Sequence, residues 1–121
     1  MKEVPKSLPS LMRACAVQKK AADVGFDWDD ISGAFEKVYE ELTELRNQYG
    51  EDPLCISRLE EELGDLLFSC VNVARFLGID PETSLTYTIS KFLSRFSYVE
   101  DKALCLGRKM NEMSLPELDC L

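Results

Sequence analysis

The sequence predicts an all-α protein, an antiparallel bundle of helices, on three observations. Most proline and glycine residues fall near the ends of long periodic segments, as they do in helices joined by short connections. Within those segments the apolar residues recur at steps of three and four, which is the spacing of one helix face. The alternation of apolar and polar residues that marks a half-buried strand is absent. Long helices with short connections favour antiparallel neighbours.

The first two predicted helices have recognisable start and stop residues. The first is predicted from residue 8 or 10 to residue 23, and Gly25 ends it. The second is predicted from about residue 28 to residue 49, with Asp29 or Asp30 as its N-cap. Gly50 follows the second helix and ends it, so the connection to the next segment is short.

The third and fourth helices are bounded in the same way. The third is predicted after Asp52–Pro53, with the proline near its first helical position, and Gly78 ends it. The fourth begins at Asp80–Pro81, with Asp80 as N-cap and Glu82 in the first turn, where the helix dipole favours a carboxylate.

The second, third and fourth predicted helices each carry one apolar stripe, the set of residues that the heptad-like spacing places on a single face. The stripe of the second helix consists of Ile31, Phe35, Val38, Leu42, Leu45 and Tyr49. That of the third consists of Ile56, Leu59, Leu63, Leu66, Cys70, Val73 and Leu77. That of the fourth consists of Leu85, Ile89, Phe92, Phe96, Val99 and Ala103. The spacing predicts packing and carries no information about function.

The chain has 121 residues, and we predict a single domain over residues 1–121. Its two ends, residues 1–7 and 107–121, are expected to be flexible or peripheral. The second end is polar but contains one helix signal. Ser114 is followed three residues later by Glu117, an arrangement typical of a capping box at the start of a short last helix.

Composition excludes several classes of function. The chain has 14 Lys and Arg against 22 Asp and Glu, a net charge of −8, and no His. The lack of His excludes a Ser-His-Asp or Cys-His nucleophile and a His-based zinc site. The acidic balance argues against nucleic acid as a partner, and no apolar run approaches the ~18 residues of a membrane span. No signal peptide is recognisable. An odd number of well-separated cysteines predicts reduced thiols in a cytoplasmic protein: Cys15, Cys55, Cys70, Cys105 and Cys120.

Acidic side chains occupy corresponding places on the second and third helices. Glu41 and Glu44 are three residues apart, as are Glu62 and Asp65, so each pair projects from one helix face. Each of the four directly precedes a stripe residue, and antiparallel packing would bring the two pairs together. Carboxylates this close repel one another and need a cation, and oxygen ligands select Mg²⁺, with Mn²⁺ as a substitute. The alternative is that both pairs lie on solvated helix faces.

The fourth helix carries the opposite charge. Lys91 and Arg95 are four residues apart on one face, and two cations one turn apart form a clamp for phosphate. The alternative is two surface cations beside neighbouring carboxylates. Asn72 lies seven residues after Asp65 and projects from the same face of the third helix, where it could donate to a substrate or orient a carboxylate.

Longer stretches around the acidic residues carry a characteristic pattern. Its centre is Glu40-Glu41-x-x-Glu44, followed after residues 45–61 by Glu62-x-x-Asp65. With its flanks this pattern resembles the signature of the MazG nucleoside triphosphate pyrophosphohydrolases, and in particular their C-terminal, catalytic-type domain. The resemblance covers about residues 8–118 and includes the segments Leu8–Ala14, Gln18–Trp28, Lys37–Tyr39, Gly64–Phe68, Val71–Arg75 and Lys91–Phe96.

The resemblance implies a fold, an assembly and a reaction. The implied fold is all-α, with helices from two subunits completing each bundle, so the chain is expected to form at least a homodimer, with tetramers left open. The implied reaction is Mg²⁺-dependent hydrolysis of an NTP or dNTP to NMP or dNMP and pyrophosphate. The implied role is the removal of non-standard nucleotides or the lowering of an alarmone pool.

The resemblance also implies roles for individual residues. Glu41, Glu44, Glu62 and Asp65 are expected to hold Mg²⁺, and Glu40 and Glu61 to contribute to the shell of the metal or the nucleotide. Trp28 is expected either to stack on a base or to plug the core after the Gly25 turn. The cations expected to contact the triphosphate are Lys37, Arg58, Lys91 and Arg95.

The mechanism that follows uses a metal-activated water, with Glu41 or Glu44 as the base that assists its attack on phosphorus. Mg²⁺, Lys91 and Arg95 are expected to stabilise the charge that develops on the phosphates. Two alternatives stand beside this one. The first is a catalytically weak helical module that binds a nucleotide or a partner protein. The second is a related enzyme that hydrolyses phosphoribosyl-ATP, dUTP or dCTP.

Overall fold

The computed structural model describes residues 3–121, and all the regular secondary structure within them is helical. Residues 1 and 2, part of the first predicted peripheral segment, lie outside the described residues. The all-α prediction is therefore confirmed for the part of the chain that is described. Its elements are the α-helices Ser10–Asp23 (α1), Ile31–Tyr49 (α2), Ile56–Phe76 (α3), Pro81–Cys105 (α4) and Leu115–Asp119 (α5), with a 3-10 turn at Met110–Glu112.

The chain divides into two compact units, Met1–Glu82 and Thr83–Leu121. In the first unit α3 packs against both α1 and α2, so α3 is the central helix of this unit. Residues 50–55 connect α2 to α3 and reverse the direction of the chain, which places these two helices side by side. The prediction of one domain over residues 1–121 stays a prediction.

The predicted ends of α1 and α2 agree with the structure. Gly25 has a positive φ of 88°, which a residue without a side chain adopts without strain. The amide of Phe26 then donates to the carbonyl of Ala21, closing the end of α1. Of the two candidate caps of α2, Asp30 is the one that acts, because its side chain accepts from the Ser32 amide at 2.8 Å.

The predicted start of α3 is wrong. Pro53 was expected near the first helical position, but α3 begins at Ile56 with Cys55 as its N-cap. The reason lies in the backbone at Cys55, whose φ of −112° and ψ of 105° are extended. The chain between the proline and the helix is therefore not yet helical.

The two remaining cap predictions are confirmed. The side chain of Asp80 accepts from the Glu82 amide at 3.0 Å at the start of α4. At α5 the Ser114 hydroxyl accepts from the Glu117 amide, and the Glu117 carboxylate accepts from the Ser114 amide, which is a complete capping box. Arg108 forms an ion pair with the same glutamate, so Glu117 of the short helix makes a second stabilising contact.

The apolar stripes of α2, α3 and α4 remain largely uncovered within one chain. Leu42 of α2 is 47% exposed and Phe92 of α4 is 65% exposed, although Val99 and Ala103 of the α4 stripe are buried. Among the described residues no large side chain is fully buried. The described helices include none that is long and apolar enough to cross a membrane. Several residues of each stripe are thus exposed apolar side chains.

Candidate active site

A cluster of carboxylates lies between α2 and α3. Glu41 of α2 and Glu62 and Asp65 of α3 each offer an oxygen within 4.8 Å of the others. The cluster forms because α3 packs alongside α2 and each residue flanks its helix's apolar stripe. The arrangement brings three of the four predicted ligands into one group.

Two oxygens of the cluster are buried without a hydrogen-bond partner. They are Oε2 of Glu41, whose residue is only 6% exposed, and Oε2 of Glu62. Lys37 donates to the other oxygen of Glu41 at 3.0 Å and also to Glu40 at 3.3 Å. A buried carboxylate oxygen without a partner is costly, and a coordinated cation would remove that cost. The donors are all carboxylate oxygens, so the cluster fits a hard divalent cation.

Glu44, the fourth predicted ligand, lies one turn beyond Glu41 on α2. Its pKa is raised above the ordinary value, first by the neighbouring charge of Glu41, then by desolvation and by the charge of Glu62. The shift shows that Glu44 feels the cluster's negative potential even though its own side chain is exposed. Four carboxylates therefore share this electrostatic environment.

A cavity of about 700 Å³ opens beside the cluster, within the first unit. Glu41, Asp65 and Lys37 line it, and so do Asn72 and Arg75 farther along α3. From Asp65 to Arg75 the helix advances about 15 Å, at 1.5 Å per residue. The remaining lining is mostly apolar and consists of Val17, Gln18, Ala21, Gly25, Phe26, Asp27, Trp28, Phe68 and Ser69. A cavity of this size, apolar along its length and charged at defined points, suits a small organic anion.

Trp28 forms part of the cavity wall and also packs against α2. The indole lies on Gly33, where a Cβ atom would come within 3.0 Å of its Cε3 atom. Trp28 is nevertheless 43% exposed in this chain. Both expectations for this residue stay predictions.

The other predicted residues lie outside the carboxylate cluster. Glu40 and Glu61 are exposed on α2 and α3, and Arg58 is exposed in the first turn of α3. Lys91 and Arg95 are exposed on α4, within the second unit, where Arg95 donates to the backbone carbonyl of Asp119 at 3.2 Å. Their roles stay predictions.

Several cavity residues were not identified from the sequence. Gln18 is buried, and its amide nitrogen donates to the carbonyl of Phe68 at 2.9 Å, while its oxygen has no partner. Arg75 has no predicted role of its own, although it lies in the matching segment Val71–Arg75. A usable signal existed, because Asp65, Asn72 and Arg75 follow one another at steps of seven and three along one face of α3.

Comparison with known proteins identifies relatives along nearly the whole chain. The chain is 43% identical over 117 residues to the nucleoside triphosphate pyrophosphohydrolase/pyrophosphatase MazG of Thermotoga maritima. It is 41% identical over 117 residues to the nucleoside triphosphate pyrophosphohydrolase of Escherichia coli K12. Each match covers 97% of this chain and 44% of the relative, so the chain spans less than half the length of these curated proteins.

A third relative is an uncharacterised Bacillus subtilis protein, YabN, which is 49% identical over 118 residues and of which the chain covers 24%. The family model of the MazG nucleotide pyrophosphohydrolase domain matches residues 29–99. That match spans α2, α3 and most of α4, and it includes the whole carboxylate cluster. The chain therefore belongs to the MazG nucleotide pyrophosphohydrolase domain family.

Proposed function

We propose that this chain is a metal-dependent nucleoside triphosphate pyrophosphohydrolase, which converts an NTP or dNTP and water to NMP or dNMP and pyrophosphate. The observation that carries the proposal is the pair of buried, unpartnered carboxylate oxygens on Glu41 and Glu62, beside a cavity of about 700 Å³. The printed names of the two MazG relatives support the same reaction class.

Glu41, Glu62 and Asp65 would hold the cation, and Glu44 is proposed as a fourth ligand or as the base. Mg²⁺ is the favoured ion and Mn²⁺ its substitute, because all the donors are carboxylate oxygens. When bound, such an ion neutralises phosphate charge and makes water more acidic. Glu40 and Glu61 are exposed and are proposed only for the outer shell.

Proton transfer is assigned to Glu44. Glu44 lies one turn beyond Glu41 and its side chain is exposed, so it is open to a water molecule beside the cluster. In the proposed reaction Glu44 accepts a proton from the water whose oxygen attacks phosphorus. In that step the water oxygen bonds to the α-phosphorus, the bond between the α-phosphorus and the bridging oxygen breaks, and pyrophosphate leaves with that oxygen.

The substrate's charged and apolar parts have separate contacts in this proposal. Lys37 lines the cavity beside Glu41 and is proposed to contact the triphosphate, together with Arg58, Lys91 and Arg95. Asn72 is proposed as a polar contact on the α3 side of the cavity. Trp28 is proposed to stack on the base, since its indole lies in the cavity lining together with the ring of Phe26.

A homodimer is proposed as the working assembly, with the uncovered apolar stripes of α2, α3 and α4 as its interface. Exposed apolar faces of this extent mark association surfaces, and a second copy of the chain offers matching ones. Sedimentation of the wild type and of Phe92→Lys tests this proposal. A wild-type protein that stays monomeric at micromolar concentration would contradict it.

The decisive experiment measures pyrophosphate release from a panel of NTPs and dNTPs, with Mg²⁺, with Mn²⁺ and with EDTA. Wild type, Glu41→Gln and Glu36→Gln are compared, because Glu36 is an exposed glutamate on the same helix. We expect metal-dependent release that Glu41→Gln lowers at least about 100-fold and that Glu36→Gln leaves unchanged. Pyrophosphate release that persists in EDTA would contradict the proposal, and so would the absence of release from every nucleotide. If no nucleotide is hydrolysed but nucleotide binding is intact, the result would indicate the catalytically weak helical module.

A further inference from the structure

The segment between α1 and α2, residues 24–30, supplies one wall of the cavity but is itself exposed. Gly25, Phe26, Asp27 and Trp28 of this segment all line the cavity. A wall made of exposed residues needs a fixed point elsewhere in the fold to keep its position.

The fixed point is an ion pair between the segment and α3. Both terminal nitrogens of Arg75 donate to the Asp27 carboxylate, Nη1 to Oδ2 at 3.1 Å and Nη2 to Oδ1 at 2.5 Å. The two residues are 48 positions apart in the chain. The side chains of Arg75 and Asp27 are 11% and 23% exposed, so water screens this pair less than it screens a fully exposed salt bridge. The bidentate geometry fixes orientation as well as distance.

Arg75 is itself held on two further sides. Its Nε and Nη2 atoms donate to Oδ1 of Asn72 at 3.1 and 2.6 Å, and its guanidinium lies over the ring of Phe76, 4.7 Å from the centroid. Asn72 therefore presents its oxygen to Arg75, and only its amide nitrogen is left for a substrate. The guanidinium of Arg75 therefore has contacts with Asn72, Phe76 and Asp27.

The ion pair reaches Trp28 through the backbone. Oδ1 of Asp27, which accepts from Arg75, also accepts from the amide of Trp28 at 2.8 Å. The indole is then pressed against Gly33 of α2. One carboxylate oxygen thus connects the guanidinium on α3 to the residue that forms the aromatic wall of the cavity.

We propose that Arg75 is a positioning residue for the nucleobase, which sets the place of the Trp28 wall through Asp27. This inference rests on the proposed function, in which the cavity takes a nucleoside triphosphate. Arg75 lies about 15 Å along α3 from Asp65 of the carboxylate cluster. Loss of the pair should therefore weaken binding of the base and leave the bond-breaking step intact.

The first test uses fluorescence, because Trp28 is the only tryptophan in the sequence. Acrylamide quenching and anisotropy of Trp28 are measured without nucleotide for wild type, Arg75→Met, Asp27→Asn and Arg46→Met. Arg46 is an exposed arginine in the last turn of α2 and is the matched control. We expect the first two variants to raise the quenching constant at least about twofold and to lower the anisotropy, with Arg46→Met unchanged.

The second test separates positioning from general damage by steady-state kinetics with the preferred nucleotide. We expect Arg75→Met and Asp27→Asn to raise KM about tenfold, as for a partly lost stacking contact, with kcat within about twofold of wild type. Arg75→Lys retains the charge without the bidentate contact and should fall between wild type and Arg75→Met. Asp27→Asn retains the shape of the side chain, so it decides the question if Arg75→Met does not fold.

The outcomes distinguish this inference from the proposed function. Unchanged Trp28 quenching in both folded variants overturns the inference whatever the enzyme does. A kcat that falls as much as kcat/KM does, with KM unchanged, also overturns it, because the pair would then act on the chemical step. If the wild type hydrolyses no nucleotide, the proposed function fails, while the fluorescence comparison still decides whether Arg75 positions Trp28.

Discussion

Gly33→Ala tests the packing of Trp28 on α2 by adding a single methyl group. Gly33 lies in the first turn of α2, and its backbone has no unusual dihedral angle that only glycine adopts. The added Cβ would lie 3.0 Å from Cε3, 3.2 Å from Cδ2 and 3.4 Å from Cβ of Trp28. These distances are shorter than the 3.5–4.0 Å at which carbon atoms attract each other, so the indole must move.

The expected magnitude comes from two opposing terms. Replacing glycine by alanine in a helix stabilises the folded state by at most about 1 kcal/mol. In a 121-residue chain that corresponds to a rise in Tm of about 4 °C. Gly64→Ala in α3 is the matched control, because a Cβ there meets nothing within 4 Å and should give most of this gain. At Gly33 the contact with Trp28 should cancel at least half of it.

The assay combines thermal unfolding with the emission spectrum of Trp28. We expect Gly33→Ala to raise Tm by less than half as much as Gly64→Ala and to shift the Trp28 emission maximum, while Gly64→Ala leaves the spectrum unchanged. Equal gains in Tm from both variants, with no change in Trp28 emission, would refute the packing of the indole on Gly33. The place of the aromatic wall would then have to be reassigned.

Three further predictions concern the carboxylate cluster and the last helix. The pKa of Glu44 is raised in the folded chain, so the stability linked to its proton is present below the ordinary glutamate pKa and is lost as the pH rises through the raised pKa. As the pH rises from about 4, the ordinary glutamate value, the Tm of the metal-free wild type should therefore fall relative to that of Glu44→Gln. A divalent cation at ten times its Kd should stabilise the wild type by about 1.4 kcal/mol in calorimetry, and an equal gain in Glu41→Gln would rule out the cluster as its site. Ser114→Ala should destabilise α5 locally by about 1 kcal/mol, which would appear as faster amide exchange at Glu117. Unchanged exchange would show that the capping box contributes little to the stability of α5.

The helices were predictable because their signals are local. Asp30, Ser114 and Gly25 each act within a few residues of their own position, through a cap or a backbone turn that the residue type itself favours. The start of α3 was not predictable in the same way. A proline is compatible with the first helical turn but does not require it, and the extended backbone at Cys55 depends on how the connection returns α3 to α2.

The candidate site likewise contains contacts that the sequence predicted and contacts that it did not. The spacing of the acidic residues placed Glu41 on one face of α2 and Glu62 and Asp65 on one face of α3, and the side-by-side packing of the two helices brings them together. The Asp27–Arg75 pair had no such signal. Its partners are 48 residues apart, and one lies in a connecting segment whose path no periodicity describes. The apolar stripes likewise predicted burial without indicating what covers them.

Every carboxylate of the cluster comes from α2 and α3, two consecutive helices of one chain joined by residues 50–55. In the proposed metal site, no second subunit has to donate one of these three ligands, so the proposal assigns one site to each chain. A substitution in one chain's cluster would leave the three carboxylates of any neighbouring chain complete. The proposed metal site therefore depends on α2 and α3 alone, whereas the proposed fit of the substrate depends on the more distant contacts that shape the cavity.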